Sequence, residues 1–337
     1  DTMKYVTYPT GHTDTLEVAA RRAVLTGVNQ TGAKLQVARA DEMGVEFFET
    51  TAHGGARPSH AEWQGRQFHR GGAVDYKGRH YPDFEAATGY GTGAGLCGWN
   101  CRHTFFAIFP ELGAPPAWTQ SDLEALNARD IEYNGGKYTR YEISQMQRAR
   151  ERTVRKYKRR YLAEDAAGAD TTASAVKLRQ ARQELSDFIS ATGGRADSAR
   201  TSVAGFGRSE AGKASYTARK QERFDSANVE LQQMREAGTI KAKGKLIESP
   251  PAPNEINFAS EHVLQRWAER GMGPMDAERI IRSSKVAMSQ RNGTQTCYYS
   301  EYGFVAIGQN GNVSSIGPLD EGGQKLMEVV KKHGIPH

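Results

Sequence analysis

Three side chains near the C-terminus, His262, Arg266 and Arg270, recur every four residues in the run SEHVLQRWAERG. At about 100° per residue a step of four drifts by only about 40°, so on a helix all three stay on one side. The chemistry such a stripe offers is cleavage of a phosphodiester without a metal. A neutral imidazole takes a proton from a ribose 2′-hydroxyl near neutral pH. Guanidinium groups grip phosphate bidentately and stabilise its developing charge. Ser314 and Ser315, late in the chain, offer a hydroxyl. The plainer alternative is an exposed polar helix face with Glu261 and Glu269 beside it.

A second group lies in TGYGTGAGLCGWNCRH, residues 88–103. Gly93, Gly95 and Gly98 spell G-x-G-x-x-G, but that motif cradles a pyrophosphate only between a hydrophobic strand and a helix N-terminus. The flanks, RHYPDFEAA and an aromatic run ending at Pro110, are neither, and no G-K-[ST] is present. Cys97, Cys101 and His103, with His53 and His60 upstream, are donor types that suit zinc. A single cysteine pair does not fix a ligand set by spacing. The competing reading is a glycine-rich loop packed closely on backbone around two small buried cysteines. That reading is preferred here, so neither a metal nor a cofactor is expected.

The third group is electrostatic. Residues 139–160 hold nine Lys or Arg against Glu142 and Glu151, a local charge of +7 in a chain whose net charge is +6. Few acids stand at the i,i+4 positions that would pair these charges. Arg155, Lys156, Arg159 and Arg160 therefore form a candidate nucleic-acid-binding patch, the alternative being a solvated helix face.

The elements that must position these groups follow from periodicity. Residues 14–43 repeat apolar positions three and four apart, which predicts a helix capped by Thr13 and stopped by Gly44, followed by a strand from Val45 to Thr50. Residues 51–110 lose all period and predict an irregular, loop-rich region. Helical texture over 120–163 and 172–190 predicts a helical hairpin, and a further polar helix falls over 217–236. Pro250, Pro251 and Pro253 mark a linker. Beyond it the pattern predicts a small ααβββα domain. Ser260 caps its first helix and Gly271 stops it; Pro274 opens the second. Strands run Thr296–Tyr299, Phe304–Ile307 and Val313–Ile316, with an Asn310-Gly311 hairpin, and Asp320 caps the last helix. The fold class is α+β. The expected boundaries are 1–118, a loop-rich region; 119–237, a basic helical region; 238–255, the linker; and 256–337, the α+β domain. Three cysteines cannot build a disulfide framework, and no apolar run approaches the ~20 residues a bilayer requires, so no membrane role is expected.

HGGARPSHAEWQGRQF, YPDFEAATGYGTGAGLCGWNCRHTFF and YNGGKYTRYE resemble the phage minor capsid protein 2 family, related to the Mu protein F-like head morphogenesis proteins. The resemblance covers roughly residues 1–220. It implies a virion head protein whose partners are other head and portal proteins, and in which the glycine-cysteine stretch is structural. That family usually carries a further N-terminal region, which implies an internal start at Asp1. The run 260–272 and the final G-x-V-x-S strand resemble the barnase–EndoU–colicin–RelE-like nucleases. That resemblance implies an endoribonuclease with His262 as acid/base, Arg266 and Arg270 as phosphate ligands, and Ser315, or Ser314, as the late hydroxyl. Together they imply a minor capsid protein carrying an RNase-like toxin or effector domain, delivered from the virion into the host cytoplasm, with RNA as substrate and an immunity protein as possible partner. Two rivals are a purely structural protein with an inert C-terminal interaction module, and a head protein that binds DNA through residues 139–160.

Overall fold

The computed structural model describes residues 5–258 and 261–336. The side chains of Glu261, His262 and Arg266 lie outside the description, as do the expected Ser260 cap and the start at Asp1. The chain divides into two units, Asp1–Glu151 with Leu185–Ala196, and Arg152–Glu184 with Asp197–His337.

The first unit opens with a hairpin that pairs Tyr5–Thr7 with Thr13–Thr15, followed by helix α1 (Leu16–Glu42), which Gly44 terminates in the left-handed conformation at φ +67°. The cap position is Thr15, not the expected Thr13. Strand β1 (Phe47–Thr50) is central in an antiparallel sheet, flanked by β2 (Gln67–His69) and β3 (Phe105–Ala107). Phe48, Phe68, Phe84, Leu96 and Phe105 close one apolar cluster with Ala33 and Ala40 of α1. So few apolar residues cannot fill the interior alone, and Glu49, Thr50, His60, Gln64 and His103 are also buried. Buried polar groups persist only when hydrogen-bonded. Glu49 satisfies this by accepting from Gln67 Nε2 at 2.7 Å and from the Ala117 amide at 2.8 Å.

The helical hairpin is present, with one correction. Its first arm, α2 (Arg140–Ala166), begins twenty residues later than the texture suggested, and its second is α3 (Thr172–Thr192). The intervening segment holds a short helix, Gln120–Leu126, with a Thr119–Asp122 capping box, and a hairpin pairing Ile131–Tyr133 with Gly136–Tyr138. Asn134 and Gly135, both at positive φ, form its turn.

In the second unit α4 (Arg208–Glu236) leads to β4 (Lys245–Glu248), so the expected linker contains a strand. After α5 (Glu261–Arg270) and α6 (Pro274–Ser283) come β5 (Val286–Gln290), β6 (Gln295–Ser300), β7 (Gly303–Gly308) and β8 (Val313–Gly317), then α7 (Glu321–Lys332). The sheet is an antiparallel meander in the order β4-β5-β6-β7-β8. Two strands beyond the expected three are therefore present, and the boundary at 256 cuts through the sheet.

Alternation sorts the side chains onto two faces. Leu246, Val286, Met288, Cys297, Tyr299 and Ala306 pack with Phe224 and Leu231 of α4 and with Leu326 and Val330 of α7. Ala287, Tyr298, Val305, Ile307 and Ile316 pack with Val263 and Trp267 of α5 and with Ile280 and Ile281 of α6. Both faces are covered. The strands consequently read as apolar runs with little polar alternation, which is why β5 was hard to see. Asp320 caps α7 as expected, accepting from the Gly323 amide at 2.7 Å.

Candidate functional site

The glycine-cysteine stretch of the first unit is built by close backbone approach. A Cβ on Gly95 would stand 2.0 Å from the Gly89 carbonyl oxygen, and one on Gly98 would stand 2.4 Å from that of Gly93. Only glycine lets these segments stack, and hydrogen bonds from the Leu96 amide to the Thr88 carbonyl and from the Trp99 amide to the Gly93 carbonyl hold them at 3.0 and 2.7 Å. Asn29 of α1 fastens the end of the loop, its Nδ2 donating to the carbonyls of Cys101 and His103. The loop packs closely on its own backbone, and it delivers three side chains with chemistry: Cys97, Cys101 and His103.

His60 meets them from the short helix Pro58–Ala61. One ligating atom each from His60, Cys101 and His103 lies within 4.8 Å of the other two. Cys101 Sγ is 3.6 Å from His103 Nδ1. His60 Nε2 stands 2.9 Å from the Ala94 carbonyl, and His103 Nε2 stands 3.0 Å from Gln64 Oε1. His53 stacks on His103 with ring centroids 4.3 Å apart, and Trp63 closes another side at 4.8 Å. Cys97 is buried with Sγ 3.5 Å from the His103 carbonyl, outside the triplet.

Electrostatics follow from this enclosure. Burial holds the His103 imidazole down to about 3, helped by His53, His60 and Arg57, and burial likewise lowers His60. Both rings are neutral near pH 7. Burial pushes the Cys97 thiol up to about 12 and raises Cys101 as well. In this environment neither sulfur is a free nucleophilic thiolate.

A cleft of about 280 Å³ reaches His53, His60 and His103 and is lined by Arg57, Arg102, Arg140 and Arg148. Arg140 comes this close because position 54 is glycine; a Cβ there would lie 2.7 Å from Arg140 Cδ. Neutral imidazoles beside guanidinium groups suit an anionic or metal-bridged ligand. The density of His and Arg in residues 53–70 was the only sequence signal for this cleft. Nothing in the spacing disclosed that Arg140, at the start of α2, would join them.

The expected catalytic residues all lie in the second unit. His262, Arg266 and Arg270 do share one helix, α5, at i, i+4 and i+8. Arg270 is engaged, its Nη1 donating to the Ile316 carbonyl of β8 at 2.6 Å. Ser315 pairs with Ala306, whose side chain packs toward α4 and α7, whereas α5 lies on the opposite face. Ser314 is the extra residue of a bulge in β8 and is bonded to Gln295 and to the Ala306 carbonyl. The side chains of His262 and Arg266 lie outside the described residues.

The basic helix also differs from its sequence impression. Arg155 donates to the Arg200 carbonyl and Lys158 to that of Thr201 at 2.6 Å. Arg160 pairs with Glu164 at 2.7 Å, Lys156 is exposed beside the Tyr157 ring, and Arg159 is partly buried. Backbone carbonyls thus take part of the role that acids at i,i+4 would fill, which sequence spacing cannot reveal.

No helix among the described residues is long and apolar enough to cross a membrane. No curated protein and no solved structure matches the chain. A family model for phage minor capsid protein 2 matches residues 1–190, more than half of the chain. That span takes in α1, the glycine loop, the histidine-cysteine cluster and every residue of the arginine-lined cleft, and it ends before the five-stranded sheet. The chain belongs to the phage minor capsid protein 2 family.

Proposed function

We propose that this chain is a structural part of the phage head that docks on neighbouring head proteins through the outer face of α1, and that its C-terminal sheet domain is an appended interaction module. Family membership makes it a virion protein with a structural role in head morphogenesis and other head proteins as partners. The observation that carries the finer reading is an apolar stripe on α1. Val24, Val28 and Leu35 are 63%, 68% and 62% exposed. At about 100° per residue they fall within about 40° of one another, opposite the face that buries Ala33 and Ala40. Burying a Val or Leu side chain is worth ~1.5–3 kcal/mol each, enough for three to anchor a partner.

Val28→Asp combined with Leu35→Asp should exclude the chain from purified heads while leaving its circular-dichroism melt unchanged. Incorporation at the parental level would place the docking face elsewhere. The nuclease alternative has its own readout. Full-length chain incubated with total RNA in EDTA is expected to leave it intact. Cleavage that disappears in His262→Ala would instead make the C-terminal domain a ribonuclease that works through His262.

A further inference from the structure

We propose that His60, Cys101 and His103 bind one zinc ion, which ties the Pro58–Ala61 helix to the end of the glycine loop. The first argument is distance. Zinc holds nitrogen at roughly 2.0–2.1 Å and sulfur at roughly 2.3 Å, so a tetrahedral site separates a sulfur from a nitrogen by about 3.6 Å. Cys101 Sγ and His103 Nδ1 are 3.6 Å apart. One ring nitrogen of His60 lies within 4.8 Å of the other two ligating atoms.

The second argument is the position of the protons. Gln64 is oriented by its neighbours. Its Nε2 donates to Asn127 Oδ1 at 3.3 Å, and its Oε1 accepts the His53 amide at 3.1 Å. An amide oxygen cannot donate, so the 3.0 Å contact from His103 must be Nε2–H to Oε1. That leaves the lone pair of His103 on Nδ1, the atom beside the Cys101 sulfur. The Ala94 carbonyl is likewise an acceptor only, so the proton of His60 sits on Nε2 and its lone pair on Nδ1. Metal-bound histidines characteristically donate the other ring N–H to a carbonyl or carboxylate, which fixes tautomer and ring orientation. Both histidines already have that partner.

The third argument concerns identity and access. Two imidazoles and a thiolate are a soft donor set, suited to zinc and unsuited to calcium or magnesium. The cleft reaches His60 and His103 and gives the ion a way in, with room for a water to complete the shell. His53 Nε2, also at the cleft, is buried with no hydrogen-bond partner among the described residues, and such a water would supply one.

The test uses the full-length chain, freed of metal by chelator dialysis and titrated with Co²⁺. One cobalt per chain is expected, with the intense visible absorption of a tetrahedral ion and a thiolate-to-cobalt charge-transfer band, both removed by adding Zn²⁺. A weak octahedral spectrum, or binding well below one per chain, overturns the proposal without any variant. Cys101→Ser should abolish the charge-transfer band, whereas Cys97→Ser should keep it; the reverse pattern overturns the ligand set. Gln64→Leu should weaken metal binding roughly 10- to 100-fold, the usual loss when a histidine's partner is removed. Unchanged affinity would contradict the role given to Gln64.

Discussion

The two units solve the problem of an interior in opposite ways. The second has a regular five-stranded sheet with an apolar cluster on each face, built from alternating side chains on the strands and single faces of four helices. The first has one short three-stranded sheet, a small aromatic cluster, and an interior completed by His60, Gln64, Glu49 and His103, each held by named hydrogen bonds. Apolar burial is forgiving of detail, since its strength follows area. A buried polar network is not, because every partner must be present. The first unit should therefore respond to proton, metal and partner loss, and the second chiefly to loss of apolar volume.

The sharpest way to break that contrast is to remove whole elements from the sheet unit. A fragment of residues 250–337 lacks β4 and α4, and with them Leu246, Phe224 and Leu231 from one face. It should show no cooperative thermal transition, while a 197–337 fragment should. Cooperative melting of the shorter fragment would show that α7 alone covers that face well enough. Single truncations come next. Leu231→Ala should cost ~2–5 kcal/mol in denaturant unfolding of the second unit, the usual range for a buried leucine. A loss below ~1 kcal/mol would mean that this face repacks readily.

A pH series separates the units by mechanism. Unfolded His103 takes a proton near 6.5, whereas the folded ring refuses one until about 3. The unfolded chain therefore binds more protons in that window. In metal-free protein the contribution of His103 to the first unit's stability should be complete above about pH 6.5 and be lost progressively toward pH 3. In the second unit Lys332 and His333 each reach Glu230 at 2.8 Å and lower its carboxyl below the usual 4.5. Its contribution is complete above that value and lost only as pH falls below it. Hydrogen exchange read by region should show the first unit opening at the higher pH. Simultaneous opening would contradict the assignment.

The smallest effect concerns the basic helix. If Arg155 and Lys158 serve chiefly to bond the Arg200 and Thr201 carbonyls, each change to Ala should cost on the order of 1–3 kcal/mol of stability. The salt dependence of any DNA binding should stay as it was. A flattened slope would return the helix to the nucleic-acid-binding alternative.

Much of the second unit was legible because its signals are local. Asn310-Gly311 marked the hairpin between β7 and β8, Gly271 and Pro274 punctuated α5 and α6, and Asp320 capped α7. What escaped was β5, whose VAM run lacks polar alternation because both faces are covered, and β4, whose pairing with β5 is not written in its own four residues. Asn134-Gly135 carried the same hairpin signal as Asn310-Gly311 but was absorbed into a helical window. In the first unit the close packing of the glycines on backbone was legible in their density. The convergence of His60 with Cys101 and His103, across some forty residues of chain, depends on the Gly89–Gly95 and Gly93–Gly98 contacts, and no spacing rule encodes those.

The central claim is that the first unit depends on a polar, metal-competent cluster where the second depends on apolar faces. Amide hydrogen exchange of the full-length chain at neutral pH, with one equivalent of zinc and then with excess EDTA, tests it most directly. Zinc should slow exchange in residues 58–66 and 94–104 and leave residues 286–317 unchanged. Equal protection in both conditions throughout residues 58–104, or a zinc effect centred on the five-stranded sheet, would contradict the account.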